Sequence, residues 1–295
     1  MSKNRSNDAK LLMVQGTSSG AGKSTLVMAL CRIFSDMGLS VSPFKSQNMS
    51  SNIYNIDESH QITRIQAIQS IAARKTPDRR LNPIVLVPKG NYTSNVFVEG
   101  TFYKKMKAND YYNEFVLQKG FPVILNSLES LRKENDLIII EGAGSPAEIN
   151  IEKFDVANML LAKKVNSPVI LISDIERGGC FANIVGTFEL IKNVHNKLIK
   201  GFIINKFRGD PSLLLTAIRK IEKKTRKKNI GIIPKFDIRI PSEDSLDGNE
   251  QFEIENKFIN SHNSFLQKQI DYLAEQIKNN IKLDYILKET LKINK

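Results

Sequence analysis

The chain has no tryptophan, two cysteines and three histidines in 295 residues. Cys31 and Cys180 lack metal-ligand spacing, so neither a disulfide framework nor a thiolate metal site is expected. His60, His195 and His262 stand in no nucleophile–base context, which argues against a triad. No apolar run approaches the length of a membrane span. The opening MSKNRSNDAK is polar and has no apolar signal core. A cytoplasmic protein with no membrane partner is the expectation. Acidic residues are outnumbered, giving a net charge of +12. Much of the excess sits in Arg219 to Lys228, RKIEKKTRKK, and in a lysine-rich tail after Glu250. Solvated helix faces explain both, so no nucleic-acid partner is expected, whereas a polyanionic substrate would suit such a surface.

What the chain does have is concentrated in LLMVQGTSSGAGKST, residues 11–25. An apolar run, a glycine-rich turn and Lys23-Ser24-Thr25 entering a helical pattern read as strand, phosphate loop and helix N-terminus. Successive backbone N–H groups can surround phosphate oxygens, with Lys23 as a mobile charge and Ser24 as a hydroxyl for phosphate-bound magnesium. The loop departs from the usual Walker A spacing, which needs glycine where this chain has Thr17. Gly16 lies one residue earlier, and Gly20 and Gly22 complete a longer GT-x4-GKS form.

Strand-like and helix-like segments then alternate. Strands are expected at 39–44, 84–87, 137–140, 169–172, 201–204 and 230–233. Helices are expected at 26–37, 62–73, 108–118, 123–135, 155–164, 182–190 and 213–224, with a hairpin or irregular excursion at 91–103. This alternation predicts an α/β fold with a parallel sheet wrapped by helices. The expected organisation is a flexible lead (1–10), a nucleotide-binding domain (11–248) and a helical tail (249–295). In the tail, Leu266, Ile270, Leu273 and Ile277 form one amphipathic face, and 283–291 a second helix. Packing of the tail on its own domain is favoured over partner docking.

Polar residues follow each strand, where ligands sit in open parallel sheets. Lys45, Gln47 and Asn48 follow the second strand. Glu141 ends the continuous apolar strand and is placed like a Walker B acid, with Asp174 and Asp57 as weaker carboxylates. Asn205 and Lys206 sit where base recognition often occurs. Arg64, Arg79, Arg80 and Arg177 are candidates to hold an acidic acceptor. Gln66 and Gln69 are unusual polar positions on the 62–73 helix and are candidates to face a substrate.

These residues carry a close resemblance. The blocks MVQGTSSGAGKST (13–25), SPFKSQNMSSN (42–52), RIQAIQSIAA (64–73), LNPIVLVP (81–88), EGAGSPAEIN (141–150), VILISDIERGG (169–179), GFIINKFRGD (201–210) and PSEDSL (241–246) resemble the ATP-dependent domain of the cobyric acid synthase family. That family lies within the dethiobiotin synthetase-like amidoligases, and the resemblance spans about residues 11–246.

The resemblance implies ATP-driven amidation of corrinoid carboxylates through acyl phosphates. Lys23 would stabilise the transferring phosphoryl group. Ser24 and Glu141 would hold Mg²⁺, with Asp57 a helper. Lys45, Gln47 and Asn48 would lie between the γ-phosphate and the acceptor, and Asn205 and Lys206 beside the adenine. Family members continue into a glutaminase domain of roughly two hundred further residues, and the expectation from these residues is that glutamine hydrolysis is not carried by this stretch. Ammonia is therefore expected from a separate glutaminase subunit or from solution, and a homodimer is the family expectation. Alternatives are a cobyrinic acid a,c-diamide synthase, its nickel-tetrapyrrole counterpart or a dethiobiotin synthetase. A partition ATPase of the deviant Walker type is disfavoured, because residues 17–21 carry no early lysine.

Overall fold

The computed structural model describes residues 8–191, 193–240, 259 and 262–293. The strands are β1 (Lys10–Gly16), β2 (Val41–Phe44), β3 (Gln47–Met49), β4 (Ile53–Asn55), β5 (Gln61–Thr63), β6 (Ile84–Pro88), β7 (Thr93–Val98), β8 (Thr101–Lys107), β9 (Leu137–Glu141), β10 (Val169–Asp174), β11 (Ile199–Phe207) and β12 (Lys228–Pro234). The helices are α1 (Lys23–Asp36), α2 (Arg64–Ala72), α3 (Ala108–Asp110), α4 (Phe121–Glu134), α5 (Met159–Lys164), α6 (Cys180–Leu190), α7 (Asn193–Asn196), α8 (Leu215–Thr225), α9 (Ser264–Asn280) and α10 (Leu283–Tyr285).

Six strands form one parallel sheet in the order β12-β11-β10-β1-β9-β2. The chain leaves β1, crosses to β2 at the edge and returns to place β9 between them. It then builds β10, β11 and β12 on the other side. The strand order therefore reverses around β1, and the crevice outside the carboxyl ends of β1, β9 and β10 is where such sheets bind ligands. Buried residues alternate between the two faces of β1. Leu12 and Val14 pack with α1, α2 and α9, whereas Leu11 and Met13 pack toward α4, α6 and α8.

The C-terminal helix completes the first of these layers. α9 lies along α1 and buries Leu266, Ile270, Leu273 and Ile277 in the same core, as expected for a tail packed on its own domain. Burying each such side chain contributes about 1.5–3 kcal/mol. Arg32 of α1 is buried there, with its guanidinium 3.5 Å from Asp271 and hydrogen-bonded to Gln267. Ile281 forms an antiparallel bridge with Gly231, and Lys282 N–H donates to the Ile230 carbonyl at 2.7 Å, covering the outer edge of β12.

Several expectations are corrected. The strand at 84–88 lies outside the central sheet, in a four-stranded sheet ordered β3-β6-β7-β8. The chain leaves the central sheet after Phe44. Fully buried Asn82 then fixes the excursion, its amide donating to the Lys45 carbonyl at 2.8 Å. The hairpin expected at 91–103 is β7–β8. The two helices expected between 108 and 135 form one continuous helical run, α3 into α4, through a π-helical stretch at Tyr111–Gly120. The helix expected from Asp155 begins at Met159, because the Asp155 carboxylate accepts from the N–H groups of Asn158 and Met159. Ala9 is already buried and Lys10 already in β1, so structure starts before residue 11. The change of character expected after Gly248 and the PSEDSL block fall outside the described residues. No helix among the described residues is long and apolar enough to cross a membrane.

Candidate functional site

The loop from Thr17 to Gly22 joins β1 to α1 at the carboxyl edge of the sheet. Its conformation depends on glycine at Gly22, whose φ of +103° is left-handed, and a Cβ there would run into the Asn205 amide. Thr17 is anchored to β10, its N–H donating to the Ile172 carbonyl at 3.0 Å and its hydroxyl 2.9 Å from that of Ser173. Gly16 allows a close approach too, since a Cβ would sit 2.9 Å from the Ser18 carbonyl. Buried Lys23 donates from Nζ to the carbonyls of Ser18 at 2.9 Å and Gly144 at 3.1 Å. The lysine thus spans the space between its own loop and the loop after β9. Both partners are backbone carbonyls, which phosphate oxygens can replace.

Glu141 ends β9 beside Val14 and is fully buried. Its Oε1 accepts from Ser24 Oγ at 2.7 Å and from Lys45 Nζ at 2.9 Å, and its Oε2 accepts from Gln69 Nε2 at 2.5 Å. Lys45, 2% exposed, brings the charge that an enclosed carboxylate requires. Asn48 continues the network, donating to Thr63 Oγ1 and Gln66 Oε1, each at 3.0 Å. Gln47 is fixed differently: Tyr111 of the π-helical stretch donates to its Oε1 at 2.6 Å. Burial pushes the Tyr111 phenol up, so it remains protonated as a donor.

Asn205 and Lys206 end β11 and reach back to the phosphate loop. The Asn205 amide donates to the Ala21 carbonyl at 2.9 Å, and Lys206 Nζ donates to Gly20 O and Asp174 Oδ2, both at 2.8 Å. A cleft of about 580 Å³ is lined by Ser19, Gly20, Gly22 to Thr25, Lys45, Asn48 and Lys206 on its polar side and by Phe236, Ile238 and Ile240 on an apolar wall. The volume is that of a small-molecule site.

The expected residues are not all brought together. Asp57 is half exposed and bonds His60, whose hydrogen bond holds the carboxylate below its usual range. It is not among the residues that line the cleft. Of the four candidate arginines, Arg177 lines the cleft. Arg80 is engaged by Asp78 and Glu134, and Arg79 bonds His60. Both cysteines are free and buried, and burial pushes their thiols up, away from the thiolate a nucleophile needs. Asn82, Thr63, Tyr111 and the grip of Gln69 on Glu141 went unforeseen. The available signal was the pair of glutamines on an otherwise apolar helix.

Ser24 Oγ, on a residue that lines the cleft, and the buried Glu141 Oε1 are two hard oxygens 2.7 Å apart, a pair that fits Mg²⁺. Among the described residues no cluster of three acidic, histidine or cysteine side chains forms a metal cage.

Comparison with known proteins supports the same reading of the loop. The profile of the family described as "CobQ/CobB/MinD/ParA nucleotide binding domain" matches residues 12–246. A probable cobyric acid synthase of Thermococcus kodakarensis is 51% identical over 240 residues, covering 80% of this chain and 49% of the relative. One from Picrophilus torridus is 47% identical, covering 81% and 50%. The cobyric acid synthase of Trichodesmium erythraeum is 47% identical over 242 residues, covering 82% and 49%. The chain thus spans about half the length of the curated relatives it matches. With its phosphate loop, its strand-end carboxylate and a profile match over most of its length, the chain belongs to the CobQ/CobB/MinD/ParA nucleotide-binding domain family.

Proposed function

We propose that this chain amidates the peripheral carboxylates of adenosylcobyrinic acid a,c-diamide, consuming ATP, on the way to cobyric acid. The observation that carries the reading is the buried carboxylate of Glu141, which holds Ser24 and Lys45, two residues that line the cleft together with Lys23. The identity to proteins named cobyric acid synthase selects the acceptor class.

The reaction has two steps. An acceptor carboxylate oxygen attacks the γ-phosphorus of ATP, forming an acyl phosphate and releasing ADP. Ammonia then attacks the acyl carbon, phosphate leaves, and the nitrogen loses a proton. Lys23 replaces its backbone carbonyl partners with phosphate oxygens and stabilises the charge that moves toward ADP. Gly16, Thr17, Gly20, Gly22 and Thr25 shape the phosphate cradle. Lys45 supplies positive charge on the acceptor side, and Asn48 and Gln47 orient the incoming carboxylate. Asn205 and Lys206 brace the loop beside the base. Bound Mg²⁺ neutralises phosphate charge, and Ser24 and Glu141 would hold it.

Ammonia comes from a separate glutaminase, the working assembly is a homodimer, and the reaction takes place in the cytoplasm. The test incubates the purified chain with ATP, Mg²⁺ and adenosylcobyrinic acid a,c-diamide, with ammonium in one arm and glutamine in the other. Mass spectrometry reads a fall of about one mass unit per carboxylate amidated. Product with ammonium alone is expected. Amidation of cobyrinic acid in place of its a,c-diamide would move the chain to the other corrinoid branch, and no product in any arm would overturn the reading.

A further inference from the structure

Gln69 is fully buried on α2, whose buried positions are mostly apolar (Ile65, Ala67, Ile68, Ile71 and Ala72) with Gln66 and Ser70 as polar companions. An amide in such a setting costs stability unless its polar atoms are used, and Gln69 uses one end only. Nε2 donates to Glu141 Oε2 at 2.5 Å and reaches the Ser24 carbonyl at 3.3 Å, whereas the buried Oε1 has no hydrogen-bond partner among the described residues. Leaving an acceptor unsatisfied costs about 1–3 kcal/mol. The amide has one workable orientation, because rotating it by half a turn would place its oxygen against a carboxylate oxygen.

The consequence falls on Glu141. With Oε2 occupied by the glutamine, the carboxylate plane is fixed and Oε1 is the oxygen presented to Ser24 and Lys45. The contact to the Ser24 carbonyl ties the same amide to the first turn of α1. One side chain therefore fixes the spacing of the two oxygens that suit a divalent cation. Partners of this kind set the orientation of metal-holding carboxylates.

We propose that Gln69 is a positioning residue for the cation site, acting through Glu141 rather than on substrate. This rests on the reading of Ser24 and Glu141 as the Mg²⁺ site given under Proposed function.

The test measures binding of a fluorescent ATP analogue to the full chain while Mg²⁺ is titrated, for wild type, Gln69→Met and Gln69→Asn. Methionine keeps the length without a donor, and asparagine keeps an amide that falls short. In both variants the Mg²⁺ concentration for half-maximal tight binding should rise about tenfold. Metal-free nucleotide affinity should stay unchanged, and saturating Mg²⁺ should restore wild-type affinity. A purely structural role would instead weaken binding at every Mg²⁺ concentration, and that pattern overturns the proposal, as does wild-type Mg²⁺ dependence in the variants. If Gln69→Met does not fold, the smaller change in Gln69→Asn decides the matter alone. Absence of Mg²⁺-dependent nucleotide binding in wild type would instead overturn the underlying reading of the site.

Discussion

Two carboxylates end adjacent regions of the same sheet, and each holds a lysine at almost the same distance. Glu141 at the end of β9 lies 2.9 Å from Lys45, and Asp174 at the end of β10 lies 2.8 Å from Lys206. Their surroundings differ. The Glu141 pair is 0% and 2% exposed, whereas the Asp174 pair is 9% and 31% exposed. The first pair sits inside a polar network with Ser24 and Gln69, and its pairing helps to offset the desolvation of both charges. In the second, water reaches the lysine, and Lys206 also bonds the Gly20 carbonyl. Distance alone makes the pairs equivalent; burial makes Glu141 the group that organises its surroundings.

The largest expected effect follows from breaking the buried pair. Glu141→Gln strips Lys45 of its carboxylate inside the protein, and urea denaturation should register a loss of about 3–5 kcal/mol. Adding Lys45→Met to that variant removes the stranded cation and should return part of the stability. The single and double variants form a cycle that measures the coupling. The amidation proposed for this chain should be lost in both. A stability loss below about 1 kcal/mol for Glu141→Gln would place the pair with ordinary surface pairs and erase the contrast.

The sequence makes one half of this contrast readable. Leu137 to Ile140 is apolar throughout, so a strand buried on both faces could be inferred, with Glu141 as its polar terminus. The phosphate loop was legible for a similar reason, since glycine, lysine and serine have a fixed order in chain and space. Lys45 could be placed at a strand end, but not its contact with Glu141, which is 96 residues away and depends on β9 inserting between β1 and β2. The strand expected at 84–87 joins a different sheet because a short apolar run specifies extension and not its neighbours. Asp57 is a candidate by residue type and by the family resemblance. Its neighbours Ser59 and His60 satisfy it locally, a turn chemistry the pattern does not weigh.

A third carboxylate separates burial from pairing. Asp155 is largely enclosed and has hydrogen-bond donors, but no cation is among the groups that shift it. Burial pushes it up from an ordinary 3.8 to about 6, against the pull of the Met159 and Asn158 N–H groups and the Asn158 side chain. The sign follows from proton uptake. Between about pH 4 and 6 the folded chain holds a proton that the unfolded chain releases, so this residue's contribution to stability falls as pH rises through that window. Asp155→Asn keeps a capping side chain and removes the titration. Urea midpoints from pH 4 to 7 should show the variant gaining on wild type by on the order of 2 kcal/mol. A pH-independent difference would mean that water reaches the carboxylate and that enclosure has no electrostatic consequence there.

The smallest effect belongs to the partly exposed pair, and it tests the contrast most directly because geometry is nearly held constant. Asp174→Asn keeps a side chain of the same shape beside Lys206, whose ammonium still reaches solvent and the Gly20 carbonyl. The expected stability loss is below about 1 kcal/mol, the range of exposed ion pairs. Lys206 adopts a left-handed φ of +61°, so its backbone is held by the β11 end and not by the salt bridge alone. Affinity for the ATP analogue should therefore change by no more than about threefold, a difference worth less than one factor of ten in binding constant. A loss approaching that of Glu141→Gln would show that Asp174 orders the phosphate loop through Lys206. The division between a structuring carboxylate at β9 and a peripheral one at β10 would then give way to a shared two-carboxylate edge.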